Sequence, residues 1–201
     1  MNFDVLIIGG GVSGLQCALV LGSAKEKPFA MDKKIGVIVH QKASHLQNAL
    51  FNNVLGLPAK TIGRNILVEG RQQLSTLYPT ISQIEMEKVI SVDDFKDVYK
   101  VVTNKGTYTS KIVIIALNYS KPFTITGLEN FTEPHEKANP EKDRIQLKNK
   151  EGFIKDGLYC CGTIAGCRSQ FAIAAGSGAA VATDILTLWN GGNHIKIHDK
   201  L

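Results

Sequence analysis

Three glycines near the N-terminus carry the clearest chemical signal in this chain. Gly9-x-Gly11-x-x-Gly14 follows the apolar run Val5-Leu6-Ile7-Ile8 at once and leads into Leu15-Gln16-Cys17-Ala18-Leu19-Val20-Leu21, the order strand, glycine turn, helix. In that order the first glycine permits a tight turn, the second lets backbone approach a pyrophosphate, and the third lets helix and strand pack closely. The helix N-terminus then offers unpaired N–H groups and a positive dipole end to the anion. Gly9, Gly10, Gly11, Val12, Ser13 and Gly14 are therefore candidate cofactor-binding residues, and the chemistry they suit is recognition of a dinucleotide.

The ribose signal departs from the usual pattern. An Asp or Glu ordinarily stands at the end of the second strand, ~20 residues after the glycines, to accept from ribose hydroxyls. Here the strand Ile35-Gly36-Val37-Ile38-Val39 ends on His40 and Gln41, and His40 stands 26 residues past Gly14 because the charged stretch from Lys25 to Lys34 lengthens the connection. His40 or Gln41 can hydrogen-bond a ribose, but without the charge-assisted acceptor of a carboxylate. A weaker ribose contact is expected.

Cys17, Cys160, Cys161 and Cys167 include no CxxC pair, and no Cys or His has zinc-finger spacing, so no metal site is expected. Cys160 and Cys161 alternate across a buried strand and read as small packing residues, as does Cys17 in the first helix. Cys167 precedes the last helix, whose N-terminus would lower a thiol pKa, and is the redox candidate. His45, His135, His194 and His198 have no partner spacing and read as surface or tail residues. No general acid or base can be named.

The elements that must position these residues follow from periodicity. The first strand, helix and second strand form a βαβ unit with a parallel sheet covered on both faces. Residues 41 to 60 read as an irregular excursion, and apolar positions from Thr61 to Pro79 recur at helical spacing. Ile81 to Val92 reads as one strand; Val98–Thr103, the turn Asn104-Lys105-Gly106 and Thr107–Ala116 read as a hairpin running into a buried strand. Residues 119 to 156 read mostly as loop, and 157 to 161 as a last short strand. A final helix places Phe171, Ala174, Gly178, Val181, Ile185 and Leu188 on one face and ends at Gly191-Gly192. The fold class is α/β: a three-layer Rossmann-like domain with a central parallel sheet and an antiparallel β-meander, spanning residues 1–201.

Composition agrees. At 201 residues with 44% apolar and 20% charged, the chain can bury roughly 70% of its unfolded surface in one core. Its 19 glycines have no period, which excludes collagen-like and disordered classes. A net charge of +5, spread without runs, reads as a solvated surface rather than one for nucleic acid or anionic membrane. Asp4 stands where a signal peptide would be basic and no cleavage site closes the apolar run, so a cytoplasmic protein is expected. The apolar stretch 171–189 is interrupted by Asp184 and rich in small residues, which suits a packed helix better than a membrane span.

Four segments taken together resemble the FAD-binding half of thioredoxin reductase and its relatives in the pyridine nucleotide-disulfide oxidoreductase family. They are the N-terminal GGGVSG, Asn53-Val54-Leu55-Gly56-Leu57, the hairpin from Val98 to Ala116, and Gly157 to Gly162 followed by Ser169-Gln170-x-x-x-Ala174-Ala175-Gly176-x-Gly178. Their order and spacing agree over essentially the whole chain. The resemblance implies FAD as cofactor, with Gly9, Gly11 and Gly14 on its pyrophosphate and Asn53 beside the flavin. It further implies Gly162 and Thr163 at the ribityl chain, and Gln170 and Phe171 near the isoalloxazine. A helix starting near Ser169 would aim its positive end at the ring atoms that gain charge on reduction.

The sequence departs from that family at three places: Thr163 and His40 stand where acidic residues are usual, and Ala116-Leu117-Asn118 replaces Ala-Thr-Gly. The family's full-length members also insert an NADPH domain and a CxxC pair where this chain has only residues 117–156, so it resembles the short, single-domain thioredoxin-reductase-like proteins. The implied function is a FAD-dependent oxidoreductase module that takes electrons from free NAD(P)H or a separate electron-donor protein. The alternative is a non-catalytic nucleotide-binding protein, a degenerate reductase fold serving as sensor or scaffold, which His40 and Thr163 favour. An NAD(P)-dependent dehydrogenase is disfavoured because no Tyr-x-x-x-Lys occurs. A homodimer could cover apolar surface left by the missing domain.

Overall fold

The computed structural model describes residues 1–40 and 44–197. Its elements run β1 (Asn2–Ile8), α1 (Val12–Ser23), β2 (Ile35–Val39), β3 (Leu50–Phe51), β4 (Thr61–Ile62), α2 (Gly63–Leu77), β5 (Ser82–Glu85) and β6 (Val89–Phe95). They continue with β7 (Val98–Thr103), β8 (Thr107–Ile115), β9 (Thr132–Pro134), β10 (Ile145–Leu147), β11 (Phe153–Lys155), β12 (Leu158–Cys160) and α3 (Phe171–Trp189).

The main sheet has the order β11-β12-β8-β1-β2-β5. Strands β12, β8, β1, β2 and β5 are parallel, and β11 closes one edge antiparallel to β12. The long β8 pairs with β1 along one side, while its other side is shared by β7 at residues 107–110 and by β12 at 113–115. That sharing lets the β6-β7-β8 meander peel away from the sheet plane and form a separate layer.

Strand alternation builds two cores. Val5, Ile7, Val37, Ile112 and Ile114 point to one face, where they meet Leu15, Ala18 and Leu21 of α1, Leu67 and Leu74 of α2, and Val181 and Ile185 of α3. Leu6, Ile8, Ile38, Val113 and Ile115 point to the other, against Val92 and Val101 of the meander and Ile125, Leu128, Ile145 and Leu147. The result is the expected three-layer α/β architecture with parallel strands covered on both faces.

Several boundaries differ from the sequence expectation. Ile81 to Val92 is two strands, not one, because the chain turns at Met86 with φ of 59° and so passes from the main sheet to the meander. Residues 119 to 156 are mostly loop, as expected, but the loop carries three short strands: β9 and β10 pair antiparallel and β11 pairs with β12 at the sheet edge, with Ile145 and Leu147 burying their side chains. The described part of the excursion, 44–60, contains a 3-10 turn at His45–Asn48, capped by the Ser44 hydroxyl, and the strand β3, which pairs with β4 just beyond it. His135 is buried rather than on the surface.

The last helix starts at Phe171, with Gln170 as N-cap, slightly later than expected. It has the length and hydropathy of a membrane span, yet Gly178, Val181, Ala182, Ile185 and Leu186 are buried against the protein. Leu188, placed on that face by periodicity, is 58% exposed, whereas Trp189 beside it packs on the core. Gly178 allows the close crossing: a Cβ there would lie 2.0 Å from the Ser13 carbonyl oxygen.

Candidate functional site

The glycine turn is built as its spacing predicts. Gly9 has φ of +123°, and a Cβ on it would lie 2.3 Å from the Ala116 carbonyl oxygen at the end of β8, so neither the conformation nor the space admits a side chain. The Gly9 amide donates to the Ile38 carbonyl and the Ala116 amide to the Ile8 carbonyl, which ties the turn to both neighbouring strands. Gly11 is the N-cap of α1; its carbonyl accepts from the Leu15 amide. A Cβ on Gly11 would meet no protein atom within 4 Å, so the backbone at the start of the helix is open to a ligand.

That opening faces a cleft of about 420 Å³, within the range of small-molecule and cofactor sites. Gly9, Gly10, Gly11, Val12, Ser13, His40, Thr163, Gln170 and Phe171 all line it. The structure thus brings nine of the sequence-predicted residues together at the C-terminal ends of the parallel strands, where α/β folds bind ligands. The start of α3 opens onto the same cleft through Ser169, Gln170 and Phe171, and its first turn carries no acidic residue. Two positive helix ends therefore face one cleft.

Other predicted residues have different places. Gly14 lies beneath the turn, where a Cβ would sit 1.9 Å from the Gly9 carbonyl oxygen. Gly162 is buried against Ser13, with its amide donating to the Ser177 hydroxyl. Both shape the cleft without lining it. Asn53 is exposed and is not among the residues lining the cleft; beside it the Asn52 side chain accepts from the Lys60 amide. Gln41 lies outside the described residues. Cys167 is partly exposed and is not among the lining residues.

Phe51 and His45 line the cleft and were missed by sequence reasoning. Phe51 packs edge-on against Phe171, with ring centroids 5.2 Å apart, and joins the β3-β4 hairpin to the start of α3. An aromatic within an irregular, Asn-rich stretch was the available signal. His45 stacks edge-on against Tyr119; desolvation and the neighbouring Arg144 guanidinium lower its pKa, which disfavours its charged form.

The charged residues lining the cleft, besides the histidines, are Glu87 and Lys88. Glu87 is buried and its carboxylate accepts from the hydroxyls of Thr103 at 2.6 Å and Tyr108 at 2.9 Å. Such a carboxylate anchors the meander rather than moving protons. The cysteines are equally quiet. Cys160 and Cys161 belong to opposite cores; burial pushes the Cys161 thiol up to about 12, partly offset by the Ser13 hydroxyl, and pushes Cys17 and Cys160 higher than an ordinary thiol. None of these three is a nucleophile at neutral pH.

No family model and no curated protein matches the sequence. Solved structures do. A thioredoxin reductase from Gloeobacter violaceus superposes with a TM-score of 0.73 at 14% identity, covering 100% of this chain and 99% of that one. An oxidoreductase from Agrobacterium tumefaciens gives 0.69 at 18% identity over 94% and 99%. A ferredoxin-flavin thioredoxin reductase from Clostridium acetobutylicum gives 0.69 at 15% identity over 95% and 98%. With a parallel sheet, a covering meander and a glycine turn at the strand ends, this chain is thioredoxin-reductase-like in fold, with a Rossmann-like α/β architecture.

Proposed function

We propose that this chain is a FAD-binding oxidoreductase module. The observation that carries the reading is the bare N-cap at Gly11: a helix end with no side chain over it, aimed into a cleft long enough to run from His40 on one side to Phe171 on the other. Backbone N–H groups at such a helix end suit a pyrophosphate, so the residues present fit the cofactor. Bound FAD supplies two-electron transfer through its isoalloxazine. Gly9, Gly10 and Gly11 hold the pyrophosphate, His40 faces the ribose, and Thr163, Gln170 and Phe171 orient the ring end. The unpaired amides at the start of α3 favour negative charge there, and the Phe51–Phe171 pair shields that end from water.

The reading is tested by whether the purified protein is yellow or takes up FAD in a titration. His40 provides a sharper test. An imidazole stands there where a carboxylate would accept with full charge, so His40→Glu is expected to tighten FAD binding by about 1 kcal/mol, roughly fivefold. Unchanged or weaker affinity on fluorescence titration would place the ribose elsewhere.

The module does not reduce disulfides by itself. Disulfide reduction needs a cysteine pair that cycles, and the chain has no CxxC, while Cys160 and Cys161 are buried on opposite faces. NADPH-driven reduction of thioredoxin by the FAD-loaded protein is therefore expected to stay at background, with Cys167→Ser indistinguishable from the parent. Turnover that the Cys167 change abolishes would make that thiol a catalyst. Electrons reach the module from free NAD(P)H or from a donor protein. One of the structures it resembles carries ferredoxin and flavin in its name, which supports the second source.

A further inference from the structure

The β3-β4 hairpin beside the cleft is apolar on both sides. Leu50 pairs with Ile62 and Phe51 with Thr61, and side chains directly opposite in an antiparallel pair share a face. Phe51 turns inward onto Phe171 and the cleft. Leu50 and Ile62 stand outward, 59% and 41% exposed, and Leu55 at the hairpin tip is fully exposed. Val68, on the helix that follows, is 55% exposed. A two-stranded sheet has little stability of its own, and one with apolar side chains on its outer face is shaped for a cover.

Charge says what the cover is. From Lys33 to Val68 the chain has no acidic residue, and from Gly157 to Thr183 it again has none; these two segments supply the hairpin and the start of α3. Lys60, Arg64 and Arg168 are exposed and have no ion-pair partner among the described residues. We propose that this face docks a protein partner with an acidic rim around an apolar centre, seated over the mouth of the cleft. Resting on the oxidoreductase reading, the partner is the electron-donor protein. A second copy of this chain does not fit, because a two-fold interface sets the same patch against itself and would bring Lys60, Arg64 and Arg168 together with their counterparts. An anionic membrane fits less well: the exposed apolar residues sit on a hairpin without Trp or Tyr, and three cations are fewer than a polybasic anchor uses.

Binding rather than electron transfer is the test, so that failure here is distinct from failure of FAD to bind, which the titration above reports. An acidic iron–sulfur carrier protein is immobilised and the full chain passed over it. The expected result is association that weakens about tenfold or more between low and physiological salt. Lys60→Glu with Arg64→Glu should weaken it at least about tenfold, and Leu50→Ser with Leu55→Ser about fivefold. Lys100→Glu, on the meander, should change nothing. All of these positions are exposed, so the variants fold, which circular dichroism checks. No binding to the carrier, or equal losses in Lys100→Glu and in the hairpin variants, would overturn the proposal. So would binding to phosphatidylserine vesicles with the same dependence on the hairpin residues, which would assign the face to a membrane.

Discussion

Replacing Gly11 by valine is expected to lower FAD affinity by about a hundredfold or more, a loss of roughly 3 kcal/mol, while leaving the protein folded. The two halves of that expectation come from one geometry. A Cβ on Gly11 meets no protein atom within 4 Å and its φ of −80° suits any L residue, so nothing in the fold resists the side chain. Valine is a poorer N-cap than glycine by about 1 kcal/mol, a small cost for a chain of this size. The space it occupies is the one through which backbone would approach the pyrophosphate. FAD retention on a desalting column and a fluorescence titration measure the first half, and a thermal melt within about 4 °C of the parent measures the second. Parent-like affinity would remove the pyrophosphate from this turn.

Gly14→Ala should do the opposite. The added methyl would sit 1.9 Å from the Gly9 carbonyl oxygen, an atom of the turn itself, and Gly9 is fixed in turn by the Ala116 backbone. No side chain can swing aside, so α1 must move off β1 and open its contact with the sheet. A loss of about 3 kcal/mol or more is expected, seen as a melting temperature lower by roughly 10 °C. FAD added in excess should recover only part of it, since the damage lies beneath the site. A melt within about 2 °C of the parent would show that helix and strand do not need this approach. The pair of glycines thus separates ligand from fold: three residues apart in sequence, one faces the cleft and the other the core.

Much of this was legible in the sequence. Short-range rules govern the glycine turn: a buried strand leaves the sheet, the backbone must reverse within a few residues, and the helix that follows begins with bare N–H groups. Val5 to Leu21 therefore predicts its own structure, as does the hairpin around Asn104-Lys105-Gly106, where the Gly106 carbonyl accepts from the Thr103 amide. The opposed placement of Cys160 and Cys161 follows from strand period alone.

What only the tertiary structure decided concerns segments without a period. Asn53 and Phe51 are two residues apart, and no local rule says that the strand stops between them; the bend held by Asn52 and Lys60 turns Asn53 to solvent, while the Phe171 ring captures Phe51. The break at Met86 and the pairing of Thr132–Pro134 with Ile145–Leu147 depend on contacts across long stretches of chain. The same holds for the exposed hairpin face. Lys60, Arg64, Leu50 and Leu55 show no common period in the sequence, and only the pairing of β3 with β4 and the contact of that hairpin with α3 gathers them beside one cleft. Periodicity reports how a segment meets its immediate neighbours, whereas a binding face is a sum over segments that meet only when the chain has closed on itself.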